Sequence, residues 1–173
     1  MMPLDLLRVC ATLLIALACG LAFAHVLEAP AKMADPAPFY IQLQNSLYVQ
    51  WGPSQIGGFL EPLAIGATGL LAFLLWQQKL SFQFPLAGFV ALVVAFPLVF
   101  FLLVAPANAA LRAATVTAIP ANWAELRNNR ELGHALRFGL QFVALASLVL
   151  SLVFDAGKSG AQSGVIAGKL GSP

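Results

Sequence analysis

Four apolar stretches, near residues 4–27, 56–76, 84–105 and 134–154, each reach the roughly 20 residues that a helix needs to cross a hydrocarbon core of about 30 Å. The chain is 60% hydrophobic and only 9% charged. Soluble domains carry about 25% charged residues and cannot hide so much apolar surface. The expected fold is therefore all-α: an integral membrane four-helix bundle, with residues 1–155 as a single four-span domain and the lipid bilayer as its solvent.

The connections refine this picture. Pro97 interrupts the third stretch, where a missing backbone donor predicts a kink. Residues 29–55 form a long connection with Pro30, Pro36, Pro38 and Pro53. Within it, Phe39 to Tyr48 reads as a short amphipathic interfacial helix, with Tyr40, Tyr48 and the nearby Trp51 at headgroup depth. In the second long connection, residues 107–115 continue the third helix. Pro120 breaks the chain, and residues 121–130 read as another short interfacial helix leading into the fourth span. The Gly- and Ser-rich residues 156–173 are expected to form a flexible tail.

Arg8 ahead of an apolar run, with Ala22-Phe23-Ala24 after it, imitates a signal peptide. The run is long for that role, and His25 and Glu28 extend it at helical spacing, so cleavage is not expected. Cys10 and Cys19 lie nine apart on one helix, too far to bridge. They read as small packing residues. The net charge is +2, and its scattered basic residues include no run to track a phosphate backbone, which excludes nucleic acid as a partner. Arg8 and the short Lys79 loop place both termini on the cytoplasmic side, in a bacterial inner membrane, by the positive-inside rule.

With that connectivity, the polar residues of four helix ends fall on one, non-cytoplasmic, side. His25 and Glu28 close the first stretch and Glu61 opens the second. Asn108 follows the third, and Glu131 and His134 open the fourth. Both histidines and three of the four glutamates of the chain are therefore at one rim. His25-x-x-Glu28 and Glu131-x-x-His134 each place two side chains on one helix face. The Glu-x-x-His step is the one used by di-metal carboxylate bundles, with further carboxylates from neighbouring helices. His25, Glu28, Glu61, Glu131 and His134 are thus candidate ligands for iron, manganese, zinc or copper. Glu61 and Glu131 also have a plainer reading, as acids complementing helix N-termini. Arg137, one turn beyond His134, can pair with a carboxylate or an anionic substrate. Without a metal, His134 with Glu131 beside it becomes a candidate general base. As an alternative cofactor, a haem would take His25 and His134 as axial ligands.

The segments Pro106-Ala107-Asn108-Ala109-Ala110-Leu111, then Trp123, then Gly133-His134-Ala135-Leu136-Arg137 resemble the signature of anthrone oxygenase-like small membrane proteins. The likeness extends to His25-Val26-Leu27-Glu28 and Glu61-Pro62 and covers roughly residues 15–150. This chain has Arg130 where many members have a second Trp. The resemblance implies four membrane helices and a membrane-embedded oxidoreductase or oxygenase-like activity on a hydrophobic small molecule. The positions that carry over from it are Asn108, Trp123, His134 and Arg137. With the residues read from spacing beside them, His134, Glu131 and Arg137 are the candidate catalytic residues, and Asn108, Trp123 and Tyr48 the candidate substrate contacts. Arg127 and Arg130 read as headgroup contacts. A different class of function is an accessory subunit, packing through Gly66, Gly69 and Gly88 on a membrane protein partner or on a second copy.

Overall fold

The structure, a computed structural model, describes residues 3–49, 53–78 and 81–170. Trp51 and Lys79, which carried part of the interface and orientation readings, lie outside the described residues. The helices are α1 (Pro3–Ala34), α2 (Ala37–Leu47), α3 (Pro53–Gln77), α4 (Gln83–Val93), a π-helical segment (Val94–Val104), α5 (Ala105–Ala113) and α6 (Trp123–Leu170). Among the described residues no strand occurs, only an isolated bridge between Thr115 and Ala118. Four rods are long and apolar enough to cross a membrane: Leu4–Ala34, Gln55–Gln77, Gln83–Ala113 and Trp123–Phe154.

The rods differ from the expected spans chiefly at their ends. α6 starts at Trp123, so residues 121–130 do not make a separate interfacial helix; most of them are the first turns of α6 itself. Arg127, Arg130 and Glu131 break the hydropathy signal without breaking the helix, because Arg130 and Glu131 neutralise each other. The backbone also stays helical through residues 155–170, where a flexible tail is predicted. Around Pro97 the third rod changes register. The Ala105 N–H reaches back five residues to the Phe100 carbonyl, the π pattern. A missing donor and a crowding ring are absorbed by eleven residues of wider helix.

The rods form a ring. α1 packs on α3 and α6, and α6 packs on α4 and the π-helical segment. α3 closes the ring against α4. The centre is apolar, built on Ala11, Ile15, Leu71, Leu75, Ala144 and Leu148. α2 lies across one end and packs on α5. The Asn45 amide there donates to the Leu111 and Ala114 carbonyls at 3.3 and 3.0 Å.

Gly133 sets how close α6 comes to the π-helical segment. A Cβ built there would stand 2.5 Å from Val104 Cγ2 and 3.3 Å from Leu103 Cβ. Val104 is buried and β-branched, so it has little freedom to move. Gly133→Ala is expected to destabilise the protein by about 1–3 kcal/mol through overpacking. At Gly139, where nothing lies within 4 Å of a Cβ, the same change is expected to gain about 0.5–1 kcal/mol. Thermal unfolding of the two variants in lipid nanodiscs checks the contrast; equal shifts would refute it.

Candidate functional site

Between α1, α2, the start of α3, the π-helical segment, α5 and α6 lies a cavity of about 400 Å³. Its polar lining includes His25, Glu61, Asn108, Arg130, His134 and Arg137. The α6 contributors follow one helical stripe: Arg130, His134, Arg137, then Gln141, at steps of four, three and four. All four are at most 6% exposed. Glu61 and Glu131 each stand eight residues inside their helices, not in a first turn, so the dipole reading does not account for them.

Three ion pairs frame the site. Arg137 Nη2 bonds Glu61 Oε1, joining α6 to α3. Arg130 Nη1 bonds Glu131 Oε1 at 2.5 Å. Lys32 Nζ, one turn beyond Glu28 on α1, lies 2.5 Å from Glu28 Oε2. Two phenols complete the carboxylate shells: Tyr40 Oη donates to Glu131 Oε1 at 2.8 Å, and Tyr48 Oη donates to Glu28 Oε2. Arg130 also donates through Nε to Asn108 Oδ1 at 2.9 Å, and its guanidinium lies 4.9 Å from the centre of the Tyr48 ring.

The imidazoles of His25 and His134 meet in the middle of this frame. Their ring centres are 4.0 Å apart and their planes 15° from parallel. Arg137 Nη1 lies 3.4 Å from His134 Nδ1. A guanidinium has only donors, so Nδ1 accepts and the ring proton sits on Nε2. That Nε2 is buried with no hydrogen-bond partner among the described residues, as are His25 Nδ1, Arg137 Nε, Glu61 Oε2 and Glu131 Oε2.

This geometry does not assemble the expected metal ligands into one set. An imidazole binds a metal through an in-plane lone pair, and two rings lying face to face aim those pairs along planes that do not converge on one ion. The carboxylates are turned to cations instead: Glu28 to Lys32, Glu61 to Arg137, Glu131 to Arg130. Among the described residues, no three His, Cys, Asp or Glu side chains form a group able to hold a metal ion. Haem fits no better. Axial imidazoles stand on opposite faces of a macrocycle, and rings in van der Waals contact leave no slot for one. The His134–Glu131 acid–base couple is also not formed, since Arg137 holds the ring and Arg130 holds the carboxylate.

Of the expected substrate contacts, Asn108 and Tyr48 line the cavity. Trp123 does not; its ring packs under the Arg127 guanidinium, 4.6 Å away. Tyr40 and Tyr48 turn inward and are buried. Arg130, Lys32 and Tyr40 were missed as site residues. The signal for Arg130 was available, because it continues the His134–Arg137 stripe one turn upstream.

Burial pushes the phenols of Tyr40 and Tyr48 above their ordinary value. At Tyr48 the Glu28 carboxylate adds to this, while at Tyr40 the Arg130 guanidinium offsets part of it. A raised phenol binds its proton more tightly in the folded state. Its contribution to stability is therefore complete below the unfolded value of about 10 and is lost as pH rises beyond it. The thermal midpoint is expected to fall above about pH 10, and to fall less steeply in a Tyr40→Phe/Tyr48→Phe double variant. Parallel profiles for the two proteins would contradict this.

No protein-family model, curated protein or solved structure matches the chain.

Proposed function

We propose that the chain is an integral membrane protein that holds the polar head of a hydrophobic carbonyl compound in this cavity and acts on it by proton transfer. The observation that carries the reading is the stacked, buried imidazole pair, whose His134 Nε2–H and His25 Nδ1 have no hydrogen-bond partner among the described residues, in the wall of a cavity whose buried charges are paired. His134 Nε2–H and the Arg137 guanidinium are donors for a carbonyl oxygen. His25 is the base. A C–H bond beside the carbonyl breaks, the proton passes to a His25 ring nitrogen, and the electron pair moves onto the oxygen, where the two donors stabilise it. The atoms balance without a further reactant.

Charge favours a neutral head at the buried part of the site. There Arg130 and Arg137 are matched by Glu131 and Glu61, while Arg112, the other cation of the lining, is solvent-exposed. A carboxylate or phosphate held between the buried pairs would add an uncompensated buried charge, at several kcal/mol. A neutral aromatic carbonyl substrate also agrees with the anthrone oxygenase-like resemblance. The apolar rods, with Leu17, Phe59, Leu102 and Val153 exposed on their outer faces, support membrane insertion. Arg8 and the Lys79 loop support cytoplasmic termini, which puts the cavity at the non-cytoplasmic end.

The test uses β-tetralone, a bicyclic ketone with acidic C–H bonds, in nanodiscs prepared in D₂O. The protein is expected to accelerate deuterium uptake at the carbon beside the carbonyl, by about 10²- to 10⁴-fold over empty discs. His25→Phe and His134→Phe are expected to abolish the gain. Uptake in either variant equal to the unsubstituted protein would sink the reading.

A further inference from the structure

We infer that the ligand reaches the cavity sideways from the bilayer, through a gap between the first turns of α3 and the π-helical segment, and that Gly57 and Gly58 set the width of that gap. The inference rests on the cavity being a ligand site, as proposed above.

The ring of rods is closed at one level and open at another. Among the described residues, α3 packs on α1 and α4 and makes at most marginal contact with the π-helical segment or α5. The chain direction places the start of α3 level with that segment and with the cavity. Among the described residues, packing restricts the other routes. Toward the far end, Ile15, Leu71 and Leu148 fill the bundle axis with at most 1% exposure, which makes the cavity a dead end instead of a channel. Across the near end, α2 is fastened by the Tyr40 bond to Glu131 and the Asn45 bonds to α5. Between α1 and α6, the flank is shut by the imidazole stack and by Phe23 stacked on Phe138 at 5.1 Å.

The edges of the gap have the chemistry of a passage for hydrophobic molecules. One edge is Gly57 and Gly58; the other is Phe96 and Phe100. Among the described residues, a Cβ at Gly58 would meet nothing within 4 Å, and one at Gly57 only Glu61 Oε1, at 3.6 Å. Two successive glycines leave the α3 edge bare where side chains would otherwise narrow the opening. Phe100 stands at the inner end of the gap, with the Arg137 guanidinium 5.0 Å from its ring centre. A molecule sliding between them meets aromatic surface first and the Arg137–Glu61 pair last, so it enters head first and leaves its apolar body in the gap. An ion would have to shed its water before reaching a partner.

Benzophenone is a suitable probe, being neutral, hydrophobic and carbonyl-bearing, without an exchangeable C–H beside the carbonyl. Illuminated with the protein in nanodiscs and mapped by mass spectrometry, it is expected to label the peptides holding Phe96, Phe100 and His134. Gly58→Trp is expected to lose the His134 adduct, while Gly139→Trp, at another open helical glycine, keeps it. If Gly58→Trp does not fold, the gap is blocked after folding instead. For this, Gly58→Cys in a Cys10→Ala/Cys19→Ala background is modified with N-pyrenylmaleimide, and the same loss is expected. Undiminished His134 labelling in the blocked proteins would overturn the lateral route while leaving the site intact. Absence of cavity adducts in the unsubstituted protein would overturn the ligand site itself, and this inference with it.

Discussion

Replacing Glu61 by alanine is expected to destabilise the protein by about 3–5 kcal/mol, because it strands the Arg137 guanidinium inside the bundle. The two side chains are 7% and 8% exposed and are each other's counter-charge across α3 and α6. Most of the cost comes from the abandoned charge, not from the lost attraction. Replacing both residues, as Glu61→Leu/Arg137→Leu, is therefore expected to be far milder than either single change, and as much as about 1–4 kcal/mol more stable than the starting protein. A double-mutant cycle in bicelles, read by reversible unfolding, isolates the coupling. Additive single effects would show that the pair is not a buried couple. The double variant is also expected to lose the catalysed deuterium uptake while remaining folded, since Arg137 supplies one of the donors for the carbonyl oxygen.

The same pair shows how far the residues themselves reveal the site. Four helices long and apolar enough to cross a membrane follow from hydropathy, because a run of twenty apolar residues has few other physical solutions. The juxtaposition of His25 with His134 also follows, from the argument that all four polar helix ends share a side. What those groups do to one another does not follow so easily. A reading of Glu28 and Glu131 as free ligands leaves out the cations beside them, Lys32 and Arg130. Glu28 and Lys32 stand four apart on α1, an ordinary helical ion pair. Arg130 adjoins Glu131, and Arg137 lies one turn from His134. Three carboxylates facing three cations favour a charge-balanced site over a metal cage. The helix boundaries hid this. With α6 taken to begin at residue 134, Arg130 falls in a loop and reads as a headgroup contact. With α6 beginning at Trp123, it takes its place on the inward stripe. The register change around Pro97 is of another kind. A proline announces that a helix must yield, but neighbouring rods decide whether it kinks or widens.

Arg130 is where the second large effect is expected. Its side chain is 2% exposed and binds three separate elements: Glu131 on its own helix, Asn108 on α5, and the Tyr48 ring beyond α2. Arg130→Met would remove all three and leave the Glu131 carboxylate, 6% exposed, with only the Tyr40 phenol. A cost of about 3–5 kcal/mol is expected for the stranded charge. Neutralising that charge in the Arg130→Met/Glu131→Gln pair is expected to recover most of it. Arg130→Lys separates charge from shape. An ammonium can neutralise Glu131, but it lacks the planar fork that bonds Glu131 and Asn108 at once while lying against an aromatic face. It is therefore expected to restore stability more fully than benzophenone labelling at His134, because Asn108 and Tyr48, both cavity walls, would lose the group that holds them in place. Unfolding midpoints and adduct yields measured on the same nanodisc samples separate the two contributions. Equal recovery of both by lysine would mean that Arg130 serves only as a counter-charge.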